Sequence, residues 1–172
     1  MAARFHGIEG RSIQVRFRPA LSASRGKLLS NTGRGRPVHA GSFIQKREIV
    51  LEAELRADPQ ELARVFVHEL FHFVWARLGN RRRQSYALLI GGELAAHARG
   101  ELGWSAQERK SGLNGTRKGP AWRAYICESF CDTAAFLYAG CERHEEFTLR
   151  PRWRRARAQW FDESLGGRPL SI

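Results

Sequence analysis

Two histidines four residues apart, His68 and His72, are the residues of this 172-residue chain whose spacing most clearly suits chemistry. On a helix, residues i and i+4 project from one face a turn apart, so both imidazoles can reach a single ion. Glu69 follows the first histidine and would stand beside that ion as a general base. The flanking residues Val65, Phe66, Val67, Leu70, Phe71, Phe73, Val74 and Trp75 are apolar, which describes a buried helix. A buried helix must compensate two imidazoles and a carboxylate, and a bound zinc ion does so. The competing reading is a pair of ordinary core histidines.

A catalytic zinc takes three protein ligands and keeps one position for water. Downstream of His72, the residues able to supply the third ligand are Glu93, His97, Glu101, Cys127, Glu128, Cys131, Asp132 and His144. Glu128 and Asp132 lie one helical turn apart in an otherwise apolar stretch. Glu128 could bind the ion while Asp132 accepts the outer N–H of a zinc histidine and fixes its tautomer. His97 is the next alternative. It repeats with Glu93 and Glu101 at four-residue spacing, giving either a polar helix face with local pairs or a face that turns His97 toward the site. Tyr125, one turn before Glu128, and Tyr86 join His97 as candidate donors to a developing oxyanion. Cys127 and Cys131 could bind a soft metal, although small core residues are the simpler reading.

His68-Glu69-Leu70-Phe71-His72 followed by Glu128-xxx-Asp132 resembles the gluzincins, the thermolysin-like zinc metallopeptidases. The run from Glu128 to Phe136 is also similar to the matching helix of small cytosolic metallopeptidases that cleave phage repressors. The residues after His72 do not match the His-x-x-Gly-x-x-His of the Met-turn families. The resemblance spans two helices and implies one Zn2+ per chain, held by His68, His72 and Glu128. It implies Glu69 as the base and Asp132 as the support of a zinc histidine. The implied activity is hydrolysis of a peptide bond in a peptide or protein substrate, by a water activated on the zinc. Tyr125, Tyr86 or His97 would then face the oxyanion. The implied fold is zincin-like, with a sheet-edge strand antiparallel to the substrate, and residues 48–55 are the expected strand.

Positioning these groups calls for an α+β domain in which strands come first and helices follow. Asp58 suits an N-cap and Pro59 the first helical position, so the metal helix is expected over 59–78, with Gly79 as its stop. Alternation of Ile13, Val15 and Phe17 with Gln14, Arg16 and Arg18 predicts a strand closed by Pro19. Residues 38–44 predict a second. In 48–55, Ile49, Leu51, Ala53 and Leu55 are expected inward, with Glu52 and Glu54 outward. Together they predict a small antiparallel sheet of about three strands within 12–55, with 20–37 as a Ser-, Gly- and Arg-rich loop. Three further helices are expected. The first, over 85–102, is interrupted at Gly91-Gly92, where two glycines cost about 2 kcal/mol. The others are 121–138, opened by Pro120 and ended by Gly140, and a basic helix over 151–163. Trp153, Trp160 and Phe161 would anchor that last helix, with Arg152, Arg154, Arg155 and Arg157 spread around it as a solvated charge run. Arg81-Arg82-Arg83 predict an exposed turn, and 103–119 a long polar connection carrying Trp104.

Composition sets the wider bounds. Hydrophobic residues make up 42%, with five Trp and ten Phe, so the chain is globular, and one domain over 1–172 is expected. The first seven residues lack the apolar run of a signal peptide, and no stretch has the length of a membrane span. Three cysteines fit a reducing compartment, so a cytoplasmic location is expected. The net charge is +12, carried mostly by Arg, which opens the chain to polyanion contact. A second function class follows from it: a basic nucleic-acid- or protein-binding module with a structural or vestigial zinc. No helix-turn-helix, zinc-finger or RNA-binding signature accompanies that charge. A structural zinc also has no use for a glutamate directly after its first histidine.

Overall fold

The computed structural model describes residues 7–31, 33–115, 117–167 and 169–172. Residues 1–6, most of the segment expected to lack a leader, lie outside these, as do Thr32 and Thr116 in the two segments expected as loops. Strand β1 (Ile8–Glu9) is followed by β2 (Gln14–Arg18), β3 (Leu21–Ser24), β4 (Lys27–Ser30), β5 (Arg36–Pro37), β6 (Ala40–Phe43) and β7 (Glu48–Glu52). A 3-10 turn over Ala53–Ala57 leads to helices α1 (Pro59–Arg77), α2 (Asn80–Ala95), α3 (Trp104–Ser111), α4 (Gly119–Tyr138) and α5 (Pro151–Leu165). Strand β8 (Leu170–Ser171) returns to pair in parallel with β1. The class is α+β.

The three expected strands form one sheet in the order β2-β7-β6, but it is mixed and not antiparallel. Strand β7 pairs antiparallel with β6, Ser42 opposite Ile49, and parallel with β2, Val15 opposite Ile49. The reason is the excursion between β2 and β6. Residues 20–37, expected as a loop, build a second sheet in the order β4-β3-β5, and the chain re-enters the first sheet on the far side of β7. Arg25 and Gly26 both have positive φ and close the β3–β4 hairpin as a two-residue turn. Strand β7 is therefore central, and Ile49, Val50 and Leu51 are all buried rather than alternating in and out. Strand β7 is thus not the edge strand expected of residues 48–55; the edges of this sheet are β2 and β6.

Helix α1 begins as its cap residues require. The Asp58 side chain accepts from the amides of Gln60 and Glu61 at 3.1 and 3.0 Å, with Pro59 in the first turn. Helix α1 is apolar on two sides because it is sandwiched. Val65, Leu70 and Phe73 pack with Ile49, Leu51 and Leu55 of the sheet side. Phe71, Val74 and Leu78 pack with Tyr86, Phe130, Ala134 and Phe161 of the other helices. His68, Glu69 and His72 occupy the remaining face.

The helices differ from expectation at several points. Helix α1 ends at Arg77 with Leu78 as its C-cap, and Gly79, extended at φ −62°, caps the start of α2 at once. The arginine triplet forms the first turn of α2, and Arg83 donates to the carbonyls of Trp75 and Ala76, capping the C-terminus of α1. Helix α2 runs unbroken through Gly91-Gly92 and ends at Ala95. The polar connection contains α3, an eight-residue helix. In α5, Arg157 is fully buried, while Arg154 donates to the carbonyls of Phe147 and Leu149, so the run is not a solvated face all round. Among the described residues no helix is long and apolar enough to cross a membrane.

Candidate metal centre

His68 faces Asp132 and Glu128, whereas His72 faces Glu128 and Cys127, so the two helices run antiparallel where they cross. His68 Nε2, His72 Nε2 and Glu128 Oε2 converge in a triangle with edges of 3.2, 3.3 and 3.8 Å. Ligand atoms about 2.0–2.1 Å from a tetrahedral ion stand about 3.3–3.4 Å apart, so this triangle fits such an ion. The side chain of Glu69 is the fourth member of the cluster, its ligand atom within 4.8 Å of those of His68 and His72.

Outer contacts orient each member. His68 Nδ1 donates to Asp132 Oδ1 at 2.7 Å, which leaves Nε2 as the lone-pair nitrogen of the triangle. Asp132 is itself held, since its Oδ2 accepts from the Ala106 amide of α3 at 2.8 Å. Gly103 lets that helix approach: a Cβ there would lie 2.2–2.4 Å from the Asp132 carboxyl atoms. Ser42 on β6 places its Oγ 2.5 Å from Glu69 Oε2 and 2.8 Å from the Glu69 carbonyl, one of which takes its single proton. His72 Nδ1 lies 3.5 Å from Cys127 Sγ.

The field of the cluster favours positive charge. Burial works against a cationic His68, yet Asp132, and after it Glu128 and Glu69, outweigh burial and raise its pKa well above the ordinary value. His72 is raised in the same sense, with burial offset by Cys127 and the two glutamates. Burial alone would raise Glu128, but its histidine neighbours bring it down to about 2, so it is a carboxylate at any ordinary pH. A bond from Cys131 and one from His72 lower Cys127 to about 6 against burial, while burial pushes Cys131 up. Among the described residues, two groups of side chains have metal-ligand spacing: His68 and His72 with their glutamates, and His72 with Cys127 and Cys131.

The other residues singled out in the sequence are elsewhere. Tyr125 is fully buried and donates to Glu101 Oε1 at 2.5 Å, so its hydroxyl is committed away from the triangle. Tyr86 is equally buried, with its hydroxyl among the Ser129 carbonyl, Ser129 Oγ and Thr133 Oγ1. His97 is exposed at φ +54°, beyond the end of α2, so Glu93, His97 and Glu101 share no helical face. Glu93 and Glu101 instead hold the buried Arg157, at 2.7 and 2.8 Å. His144 meets Glu61 at 3.3 Å. Ser42 and Gly103 escaped sequence reasoning because nothing local marks either one. The sequence offers Cys127 and Cys131 as a soft-metal pair, but gives no sign of the contact between Cys127 and His72.

Two hollows meet at the cluster. One of about 470 Å³ is lined by Ala40, Arg64, His68, Glu69 and Trp104, and one of about 400 Å³ by Gly41, Ser42, His72, Cys127 and Glu128. His68 and Glu69 border both, and β6 runs beside them. Trp104 is 62% exposed at the rim of the larger hollow. Comparison with protein families, with curated proteins and with solved structures found no match for this chain.

Proposed function

We propose that this chain is a zinc-dependent metallopeptidase of the gluzincin type, with a zincin-like fold. The observation that carries the reading is the triangle of His68 Nε2, His72 Nε2 and Glu128 Oε2 with the Glu69 carboxylate beside it. The donor set, two imidazoles and one carboxylate, is the chemistry zinc takes when a position is left open for water. Bound there, zinc would supply Lewis acidity toward the substrate carbonyl and toward water. Glu69 is the residue that accepts the proton of the attacking water and delivers it to the departing amine. Ser42 holds one oxygen of that carboxylate, which restricts its swing. Asp132 keeps His68 in the tautomer that leaves Nε2 free. The edge strand β6 offers a free backbone side along which an extended peptide would add as a further strand, with residues on either side of the scissile bond in the two hollows. With Tyr125, Tyr86 and His97 positioned elsewhere, none of them is assigned to the oxyanion.

Support for the polyanion-binding class is thinner. Arg64, Arg83, Arg154 and Arg157 are engaged with carboxylates or backbone carbonyls of the chain itself. The test is a digest of a mixed peptide library by the zinc-loaded chain and by Glu69→Gln, read by mass spectrometry. Cleavage by wild type, lost by at least about 100-fold in a variant that keeps its zinc, is expected. Equal cleavage by both, or no cleavage by a zinc-loaded wild type, would overturn the reading.

A further inference from the structure

His72 has two ring nitrogens, and only Nε2 belongs to the triangle. Its Nδ1 points the other way, 3.5 Å from Cys127 Sγ, and the ligand atoms of His72, Cys127 and Cys131 all lie within 4.8 Å of one another. Cys127 and Cys131 are one turn apart on α4, on the face that meets His72. We propose that His72 Nδ1, Cys127 Sγ and Cys131 Sγ form a second metal site, for a thiophilic cation, back to back with the triangle and sharing its imidazole.

Three features carry the site. A tetrahedral ion with about 2.0 Å to nitrogen and about 2.3 Å to sulfur separates those atoms by about 3.5 Å, which matches the observed contact. The donors are soft where the triangle's are not: two sulfurs and an imidazole select Cu+, Cd2+ or Zn2+ over hard ions. Access exists, because Cys127 and His72 line the hollow of about 400 Å³ while Cys131 closes the base of the site, fully buried. A direct Cys127–Cys131 disulfide is the poorer use of this pair, since Cβ atoms four apart on a helix stand about 5–6 Å apart and a disulfide needs about 3.8 Å. The third cysteine, Cys141, is remote, packed with Leu102, Phe147 and Leu149. A neutral imidazole offers one lone pair, so both nitrogens of His72 hold cations together only if the ring releases its N–H proton to solvent. That cost and the repulsion between the cations make filling the sulfur site weaken the triangle's hold on zinc, and the converse. That coupling rests on the zinc reading above; the sulfur site itself does not.

The test is titration of the metal-free full chain with Cd2+, followed by the ultraviolet thiolate-to-cadmium charge-transfer band. Wild type, Cys141→Ser and Glu128→Ala should develop the band, saturating with one cadmium at sulfur per chain. Cys127→Ser and Cys131→Ser should lose it, their affinity at this site falling by more than about 100-fold, beyond the cost of losing an outer partner. Alkylation with iodoacetamide adds a readout that needs no variant: one equivalent of Cd2+ should protect Cys127 in wild type. A band that survives Cys127→Ser, disappears in a folded Glu128→Ala, or never forms would overturn the proposal. So would unchanged alkylation of Cys127 in the cadmium-bound chain.

Discussion

Replacing Gly103 by alanine should disarm the metal centre from outside it. The backbone at Gly103 is extended at φ −176°, which any residue adopts, so the obstacle is space and not conformation. The new Cβ would stand 2.2–2.4 Å from the carboxyl atoms of Asp132, where an ordinary carbon–oxygen contact needs about 3.2 Å or more. Asp132 or the start of α3 must therefore retreat by about 1 Å. A retreat of that size exceeds the tolerance of the bonds Asp132 makes, 2.7 Å to His68 and 2.8 Å to the Ala106 amide. Losing an outer partner of a metal histidine costs about 10–100-fold in affinity, or about 1.4–2.7 kcal/mol. The assay is competition for zinc against a chromophoric chelator, with thermal melting of the metal-free chain alongside, where a loss of about 1–3 kcal/mol is expected for the disturbed buried carboxylate. Gly92→Ala is the control. It lies on an exposed part of α2 with no atom within 4 Å of the added methyl, so it should gain about 1 kcal/mol and leave zinc affinity alone. Wild-type zinc affinity and stability in Gly103→Ala would refute the proposed hold of α3 on Asp132.

Arg157→Met leaves Glu93 buried without its cation, and Glu101 with Lys110 alone, and should cost about 3–5 kcal/mol in urea denaturation. The exposed Arg155→Met should stay within about 0.5 kcal/mol, and equal effects would contradict the burial of Arg157. Asp58→Ala removes the acceptor for two amides of α1 and should cost about 1 kcal/mol by the same measurement; no loss would mean that the cap contributes nothing. Glu128 is held at about 2 against an ordinary 4.5, so its charge contributes stability above pH 4.5 that fades as pH falls toward 2. In the metal-free chain, the stability gap between wild type and Glu128→Gln should therefore close over that range. A gap that stays constant from about pH 6 to about pH 2 would contradict it.

What the sequence disclosed was what short-range chemistry encodes. Asp58-Pro59 announced the start of α1 because capping is settled within four residues, and the i, i+4 period placed His68 with His72 and Glu128 with Asp132. Facts set by distant partners stayed hidden. Helix α3 is eight residues long, too short to be signalled by propensity, and it is stabilised by carboxylates of Asp132 and Glu146 at its N-terminal amides. Strands β3 and β4 hide in a Ser- and Gly-rich segment whose apolar residues are too sparse to show a period of two. The parallel pairing of β2 with β7 depends on where the chain re-enters the sheet, which no local pattern records. Arg157 looked like one more surface arginine until Glu93 and Glu101, brought together from two other segments, gave its charge a buried partner. Tyr125 kept the helical spacing that suggested a place near Glu128, but three residues on a helix turn a side chain far enough round to reach Glu101 instead.

Zinc content decides whether His68, His72 and Glu128 form a three-ligand zinc site. Elemental analysis after dialysis should find about one zinc per chain in wild type and in His97→Ala, whose histidine is exposed beyond α2. His72→Ala, which breaks both donor sets, should retain almost none, and Glu128→Ala should hold zinc at the sulfur set alone, both checked for folding by circular dichroism. With the sulfur set intact, residual zinc in Glu128→Ala is removed by repeating the measurement in Cys127→Ser. Zinc kept in Glu128→Ala with Cys127→Ser, or lost in His97→Ala, would contradict the assignment of His68, His72 and Glu128.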